Sequence, residues 1–380
     1  MPNRRCNPYL DTRLTVSRVL LMTLATIVFI GGVIYGVVRG TFWRLCGKNK
    51  ENQFRDFHEA MHKMFKFDLY LHPWLHCDVH NPYGEKFERG AIAICNHQSL
   101  LDTLCLLILS PKLLIVTGER VWNNFIIKPV LHFAEFTCVN RTMPEMLKYC
   151  RQHIDNGYTV VIFPEGERSL DGHILRFHSG AFQLAKELKA DILPLYMHGT
   201  GYVLPLHKAF QNKAKLYMEI GQRIAYDAPV RGTDVRKQAN TFRSHYQSYY
   251  EAICKERETT DYFTYLVGNL YGRIGKRKYA SNLLKQYGNF SEWIDRSFEN
   301  VSSIWIEDYS DGVFTLMFAL VHPNLDVYSS GTVGLRKLYR KCKHLPANVI
   351  FMDEADRMVT EQKTLFFSIA HVANVLTYKQ

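Results

Sequence analysis

The chain has 380 residues, 47% of them hydrophobic, and a formal net charge of +11 at neutral pH. That length leaves room for more than one domain, and the hydrophobic share is far from that of a multi-span transporter. The positive balance favours an anionic partner, whether nucleic acid, an anionic bilayer surface or a phosphate-bearing substrate. The nine cysteines form no C-x-x-C pair and no zinc-like spacing with histidine, so no metal site is expected. Cys95, Cys105 and Cys138 sit inside apolar runs as small hydrophobes, a usage that suits a reducing compartment better than a disulfide framework.

Val19 to Val38 carries no charge and is bracketed by Arg13 and Arg18 before it and Arg39 and Arg44 after it. A run of about 20 apolar residues is what a hydrocarbon core of roughly 30 Å requires. The run is long for a signal peptide and lacks a small-residue cleavage site, so it reads as a membrane-embedded helix. Cations on both sides leave its orientation open, and Gly31, Gly32 and Gly36 would also permit a bent, monotopic insertion. Glu51 to Leu71 reads as an aromatic-rich helix, with Phe54, Phe57, Met61 and Phe65 at packing positions. Cys77 to Asn81 is a first strand, and Pro82 to Glu85 a turn.

The stretch Ala91 to Thr103, AIAICNHQSLLDT, is a buried strand that ends abruptly in Asn96 and His97, followed by an apolar helix. Positions five apart on a helix lie roughly 140° apart, so His97 and Asp102 meet only if His97 sits in the loop and Asp102 in the first turns. A carboxylate so placed holds an imidazole in one tautomer while the other nitrogen takes a proton. Lys112 to Val116 reads as a strand, Lys128 to Phe133 as a helix or turn, and Phe136 to Val139 as a strand ending at Asn140-Arg141. Pro144 to Asn156 is a helix closed by Gly157. The strand VVIF then ends in Pro164, Glu165, Gly166 and Arg168, where exposed backbone N–H groups and a guanidinium suit an anion. Strand–helix alternation through Leu195 argues for an α/β sandwich.

NHQSLLD and FPEGERS, in this order, resemble the NHxxxxD and FPEGTRS motifs of the glycerolipid acyltransferases of the lysophosphatidic-acid acyltransferase family, with Glu167 in place of threonine. Asn140-Arg141 resembles the Asp-Arg that closes that family's second motif. Phe177 to Gly180 resembles its F-K-x-G segment with His178 for lysine, and Ile192 to Leu195 its proline-centred fourth motif. The resemblance runs from Asp78 to Ile224. It implies His97 as general base and Asp102 as its orienting carboxylate, with Asn96, Arg141, Glu165, Gly166, Arg168 and Pro194 binding substrate. Ser99 and Cys95 read as packing neighbours. No cofactor is implied; the acyl donor would be acyl-CoA or an acyl carrier protein, and the acceptor a lysolipid, foremost 1-acyl-sn-glycerol-3-phosphate. The expected place is a bacterial inner membrane, with the active site at its cytoplasmic face and the lipid bilayer as partner. Losing the fixed cation at His178 leaves open a non-phosphate acceptor such as an amino-acid lipid. A non-enzymatic membrane scaffold is a further alternative. Nucleic acid is not an expected partner, because no recognition motif accompanies the charge.

Beyond Asp234 the composition shifts, with a polar helix to Lys255 and an aromatic, then basic, stretch from Asp261 to Tyr279 suited to a headgroup layer or a solvated linker. SIWIED, FTLMFALVHP, LDVYSS and LPANVIFMDEAD then repeat the strand–helix–strand pattern of a nucleotide-binding half, which resembles a class I methyltransferase core over Leu283 to Met358. Only Gly312 remains in the loop YSDG, and Ser329 and Ser330 stand where an acidic residue would hold a ribose. The expectation is a degenerate, non-catalytic Rossmann-like module; a methyltransferase with an accessory lipid domain is the rival. The expected division is 1–45 as membrane segment, 46–232 as acyltransferase-like domain, 233–280 as basic linker and 281–380 as the Rossmann-like domain.

Overall fold

The computed structural model describes residues 16–47, 49–70, 75–125, 127–169, 172–204, 214–228, 234–258, 301–308, 312–322, 325–331, 348–351, 364–369 and 376–379. The basic stretch 261–279 lies outside them. The chain divides into two compact units. One comprises 15–211 and 215–251, the other chiefly 252–380, so the division falls inside a helix rather than in a linker.

The larger unit is built on a seven-stranded sheet. Its elements are α1 (Val16–Leu45), α2 (Lys50–Tyr70), β1 (Leu75–His80), β2 (Ala91–Cys95), α3 (Leu101–Leu107), β3 (Leu113–Thr117), α4 (Glu119–Trp122) and α5 (Lys128–Phe133). They continue with β4 (Thr137–Cys138), α6 (Met143–Asp155), β5 (Thr159–Ile162), α7 (Gly180–Glu187), β6 (Ile192–His198), α8 (Thr200–Val203), β7 (Ala214–Ile220) and α9 (Val235–Arg257). The sheet order is β1-β7-β6-β2-β5-β3-β4, with β2 parallel to both β6 and β5. Every residue of β2 and β3 is buried, which is why these strands read as unbroken apolar runs. Ile94 pairs with Ile162 on one side and Pro194 on the other, so β2 and β5 end level and their following loops leave the same sheet edge. α6 shows how locally the sequence sets its elements. The Glu145 carboxylate accepts from the N–H and hydroxyl of Thr142, Pro144 opens the helix, and Gly157 (φ 80°) closes it.

Gly90 feeds β2 through a tight passage. A methyl group there would lie 2.3 Å from the Ile154 carbonyl oxygen and 2.8 Å from that of Tyr158, both main chain and unable to move aside. Gly90→Ala is expected to cost about 3 kcal/mol of stability, the upper range for overpacking. Gly180→Ala, with open space around it, is the matched control in thermal unfolding.

α1 packs against the rest of the larger unit. It runs unbroken, and Gly32, Gly36 and Gly40 face Met64, Phe57 and Phe133, whose side chains leave no room for a Cβ at Gly32 or Gly40. Of the glycines that suggested a bend, Gly32 and Gly36 serve close approach to α2, whereas Gly31 has open space around it. The opposite face leaves Leu20, Ile27, Ile34, Val38 and Phe42 exposed, and the window Thr26–Trp43 has a mean hydropathy of 1.5, long and apolar enough to cross a membrane.

The second unit holds β8 (Ser303–Asp308), α10 (Val313–Val321), β9 (Asp326–Gly331), β10 (Val349–Phe351), β11 (Thr364–Ile369) and β12 (Leu376–Lys379). The order β10-β9-β8-β11-β12, parallel except for β12, places the first strand of the unit at the centre, as in a doubly wound sheet. β11 and β12 add to the strands expected from sequence. Ser329 and Ser330 are turned inward: the Thr315 and Ser329 hydroxyls lie 2.9 Å apart, and the Trp305 indole donates to Ser330.

Candidate active site

His97 sits in the loop after β2 and Asp102 in the first turn of α3, and the chain between them folds back on itself. One oxygen of the Asp102 carboxylate accepts from His97 Nδ1 (2.7 Å) and from the backbone N–H of Gln98 (2.6 Å) and Ser99 (2.8 Å). Because an ionised carboxylate only accepts, Nδ1 carries a proton, and in the neutral ring Nε2 therefore keeps its lone pair. Asp102 is fully buried, whereas His97 remains 20% exposed and stacks on Phe163 with ring centres 4.1 Å apart.

The second motif loop is tied to the first. Glu165 accepts from the His97 N–H (2.8 Å) and the Leu175 N–H (2.7 Å), and the Ser169 N–H donates to the His97 carbonyl (2.8 Å). Burial pushes the Glu165 pKa up to about 7, against the lowering effect of those two bonds and of Arg243, and Asp102 raises it further. Arg168 lies beyond. Burial lowers its pKa, Asp102 raises it and Arg120 lowers it again, so both guanidiniums share one field with the dyad.

His97 lines a cavity of about 940 Å³. Thr117, Gly118, Arg120, Gly166, Glu167 and Arg168 line it too, and the rest of the wall is overwhelmingly apolar, drawn mainly from α1, α2, α3 and α5. Arg39, also on the wall, donates to the Tyr35 hydroxyl and lies 4.2 Å from the Trp43 ring centre, so its charge is already engaged.

The sequence-derived residues separate into three groups. His97, Gly166 and Arg168 reach the cavity, with Asp102 directly behind His97. Asn96, Glu165 and Pro194 are buried in the scaffold and do not line it. Asn96 donates to the Met197 carbonyl and accepts from the Met197 N–H, and Pro194 pairs with Ile94 inside the sheet. Arg141 is exposed, with its guanidinium 5.5 Å from the Tyr149 ring centre, and does not reach the cavity wall. Gly166 adopts φ 73° and its N–H is already donated to Phe163, so it shapes the turn rather than offering an amide. The cation that sequence reasoning missed is Arg120. GERVW reads as an ordinary polar helix turn, and only the sheet topology brings Arg120 to the cavity that His97 lines.

Residues 76–198 match the family model described as acyltransferase. This segment is similar to the acyltransferase family. A chloroplastic 1-acyl-sn-glycerol-3-phosphate acyltransferase of Brassica napus is 26% identical over 156 residues, covering 40% of this chain and 45% of its own length. A 1-acyl-sn-glycerol-3-phosphate acyltransferase of Chlamydomonas reinhardtii is 30% identical over 132 residues, covering 33% of this chain and 39% of its own. The chain thus spans less than half the length of these curated relatives. The crystal structure of the 1-acyl-sn-glycerophosphate acyltransferase PlsC of Thermotoga maritima superposes with a TM-score of 0.52 at 20% identity, over 62% of this chain and 97% of that one. At that identity the likeness shows the fold alone. The matched residues take in β2, β5 and both motif loops, but α1, α2 and α9 lie outside them.

Proposed function

We propose that this chain is a membrane-bound O-acyltransferase that moves a fatty acyl group from a thioester donor, acyl-CoA or acyl-ACP, to the hydroxyl of a lysolipid. The favoured acceptor is 1-acyl-sn-glycerol-3-phosphate, giving phosphatidic acid. The observation that carries this reading is the His97–Asp102 dyad set against a large apolar cavity that Arg120 and Arg168 also line.

In this mechanism the His97 Nε2 takes the proton of the acceptor hydroxyl as its oxygen attacks the thioester carbonyl. Asp102 stabilises the imidazolium that forms. Collapse of the tetrahedral intermediate breaks the C–S bond, and the departing thiolate receives the proton from Nε2. The apolar walls suit acyl chains, and Arg168 with Arg120 suits phosphate oxygens. The exposed apolar face of α1 supports placement at a bilayer, for which a bacterial inner membrane, with the site at its cytoplasmic face, is the expected setting. In the second unit, Ser329 and Ser330 bonded inward and Gly312 alone in its loop support a degenerate methyltransferase-like module that does not bind S-adenosylmethionine.

Purified protein offered labelled acyl-CoA, acyl-ACP and a panel of acceptors tests the reading. Lysophosphatidic acid is expected to be acylated fastest. Transfer only to an N-acylated amino acid would keep the mechanism and move the acceptor class, an outcome to which exposed His178 beside Gly166 lends weight. No transfer to any acceptor would overturn the enzyme assignment.

A further inference from the structure

α9 follows the sheet and lies wholly beyond the acyltransferase-family match, yet three of its side chains reach the catalytic loops. Arg243, Tyr246 and Tyr250 are spaced three and four apart and so share one helix face. The Tyr246 hydroxyl accepts from the Asn96 N–H (2.9 Å) and lies within donating distance of Asn96 Oδ1 (2.9 Å) and the Leu195 carbonyl (2.5 Å). The Tyr250 hydroxyl accepts from the Gln98 side chain (2.5 Å). The Arg243 guanidinium donates to the carbonyls of Ile174 (2.8 Å) and Leu175 (2.7 Å), the second of which gives its own N–H to Glu165. Tyr246 and Tyr250 are each only 2% exposed.

We infer that α9 is a built-in clamp on the catalytic histidine, with Arg243, Tyr246 and Tyr250 acting as positioning residues for the transfer proposed above. Tyr246 fixes the residue before His97 and Tyr250 the residue after it. Arg243 fixes His97 itself, through the 174–175 segment and Glu165. None of the three reaches the cavity wall, so none touches substrate. Their effect is geometric: they hold the His97 backbone where its ring lines the cavity. Polar groups this deeply buried are costly to leave unpaired, so removing one partner loosens the loop rather than letting water replace it.

Arg243 has a second, electrostatic effect. The charges acting on Glu165 are Asp102, which opposes its ionisation, and Arg243, which favours it. His97 and Arg168 stand on the two loops it joins. Ionised Glu165 can accept both backbone N–H groups at once; protonated, it must turn one oxygen into a donor. Removing the Arg243 charge makes Glu165 protonate at higher pH, so the loop loosens, and activity falls, from a higher pH downward.

The test uses the full chain in detergent, with Tyr246→Phe, Tyr250→Phe, Arg243→Gln and Arg243→Lys. The expected result is a kcat lowered about tenfold or more, as for a misplaced catalytic group, with KM for donor and acceptor nearly unchanged. In Arg243→Gln the acid limb of the rate profile moves to higher pH, and in Arg243→Lys it returns. A merely structural role would lower the melting temperature without moving that limb. Amide hydrogen exchange over residues 95–99 is expected to quicken in the Tyr250 and Arg243→Gln variants while β2 stays protected. If Tyr246→Phe does not fold, the other variants decide. If the wild type transfers nothing, the proposed activity fails but exchange still decides the clamp. Unchanged exchange at 95–99, or an unchanged kcat with an unmoved acid limb, overturns it.

Discussion

His97→Ala is expected to lower kcat by about 10³- to 10⁴-fold, the upper range for loss of a general base, with little change in KM for either substrate. The effect falls on kcat because in the proposed mechanism His97 meets the acceptor hydroxyl as it loses its proton, whereas most of the cavity wall is apolar. Asp102→Asn should approach the same loss by another route. An amide in place of the carboxylate sets an NH₂ against N–H groups that now all donate to one oxygen, and it no longer selects the tautomer with Nε2 unprotonated. Because Asp102 is fully buried, its variant is also expected to unfold earlier, so initial rates need a melting curve beside them. A His97→Ala protein that keeps its wild-type rate would falsify the base assignment outright.

Arg168→Ala is the second large effect expected. A guanidinium bonded to phosphate oxygens contributes about 1.5–3 kcal/mol, or roughly 10- to 100-fold in acceptor KM. Arg168→Lys keeps the charge but loses the planar fork, so it should recover only part of that loss. Arg120→Ala should do less, because Arg120 is exposed where Arg168 is half-buried. Monoacylglycerol, which lacks the phosphate, separates the explanations. If Arg168→Ala slows transfer to this neutral acceptor as much as to lysophosphatidic acid, the residue supports the loop and does not read the headgroup. Arg141→Ala, outside the cavity wall, is the control expected to leave both rates unchanged.

The motif loops were legible because each is a local event. An apolar strand stops at a polar residue, and the chemistry follows within a few positions, as at Cys95 to Asp102 and Ile162 to Arg168. The wall of the site was less legible, because its residues meet only through the sheet. Arg141 and Arg120 both follow short strands, and no local pattern says which one turns toward the dyad. Asn96 looked like a ligand because it precedes His97, but its side chain is used up between β6 and Tyr246, a partner distant in sequence. The same distance hid α9, whose tyrosines read as ordinary aromatic positions on a polar helix. In the second unit the alternation of strand and helix predicted the parallel core, whereas TLFFSI and LTYK, short and followed by little periodic context, went unread.

One design consequence concerns truncation. Deleting the first 45 residues is the obvious way to make such a chain easier to handle in water, since they look like a detachable anchor. Yet Gly31, Gly32, Tyr35 and Gly36 form part of the cavity wall, and Met64 and Phe57 pack against that glycine face. A shortened protein would lose part of the cavity wall, and the bared methionine and phenylalanines would take up detergent in its place. Its inactivity would then report a missing wall, and should not be mistaken for a requirement to be tethered.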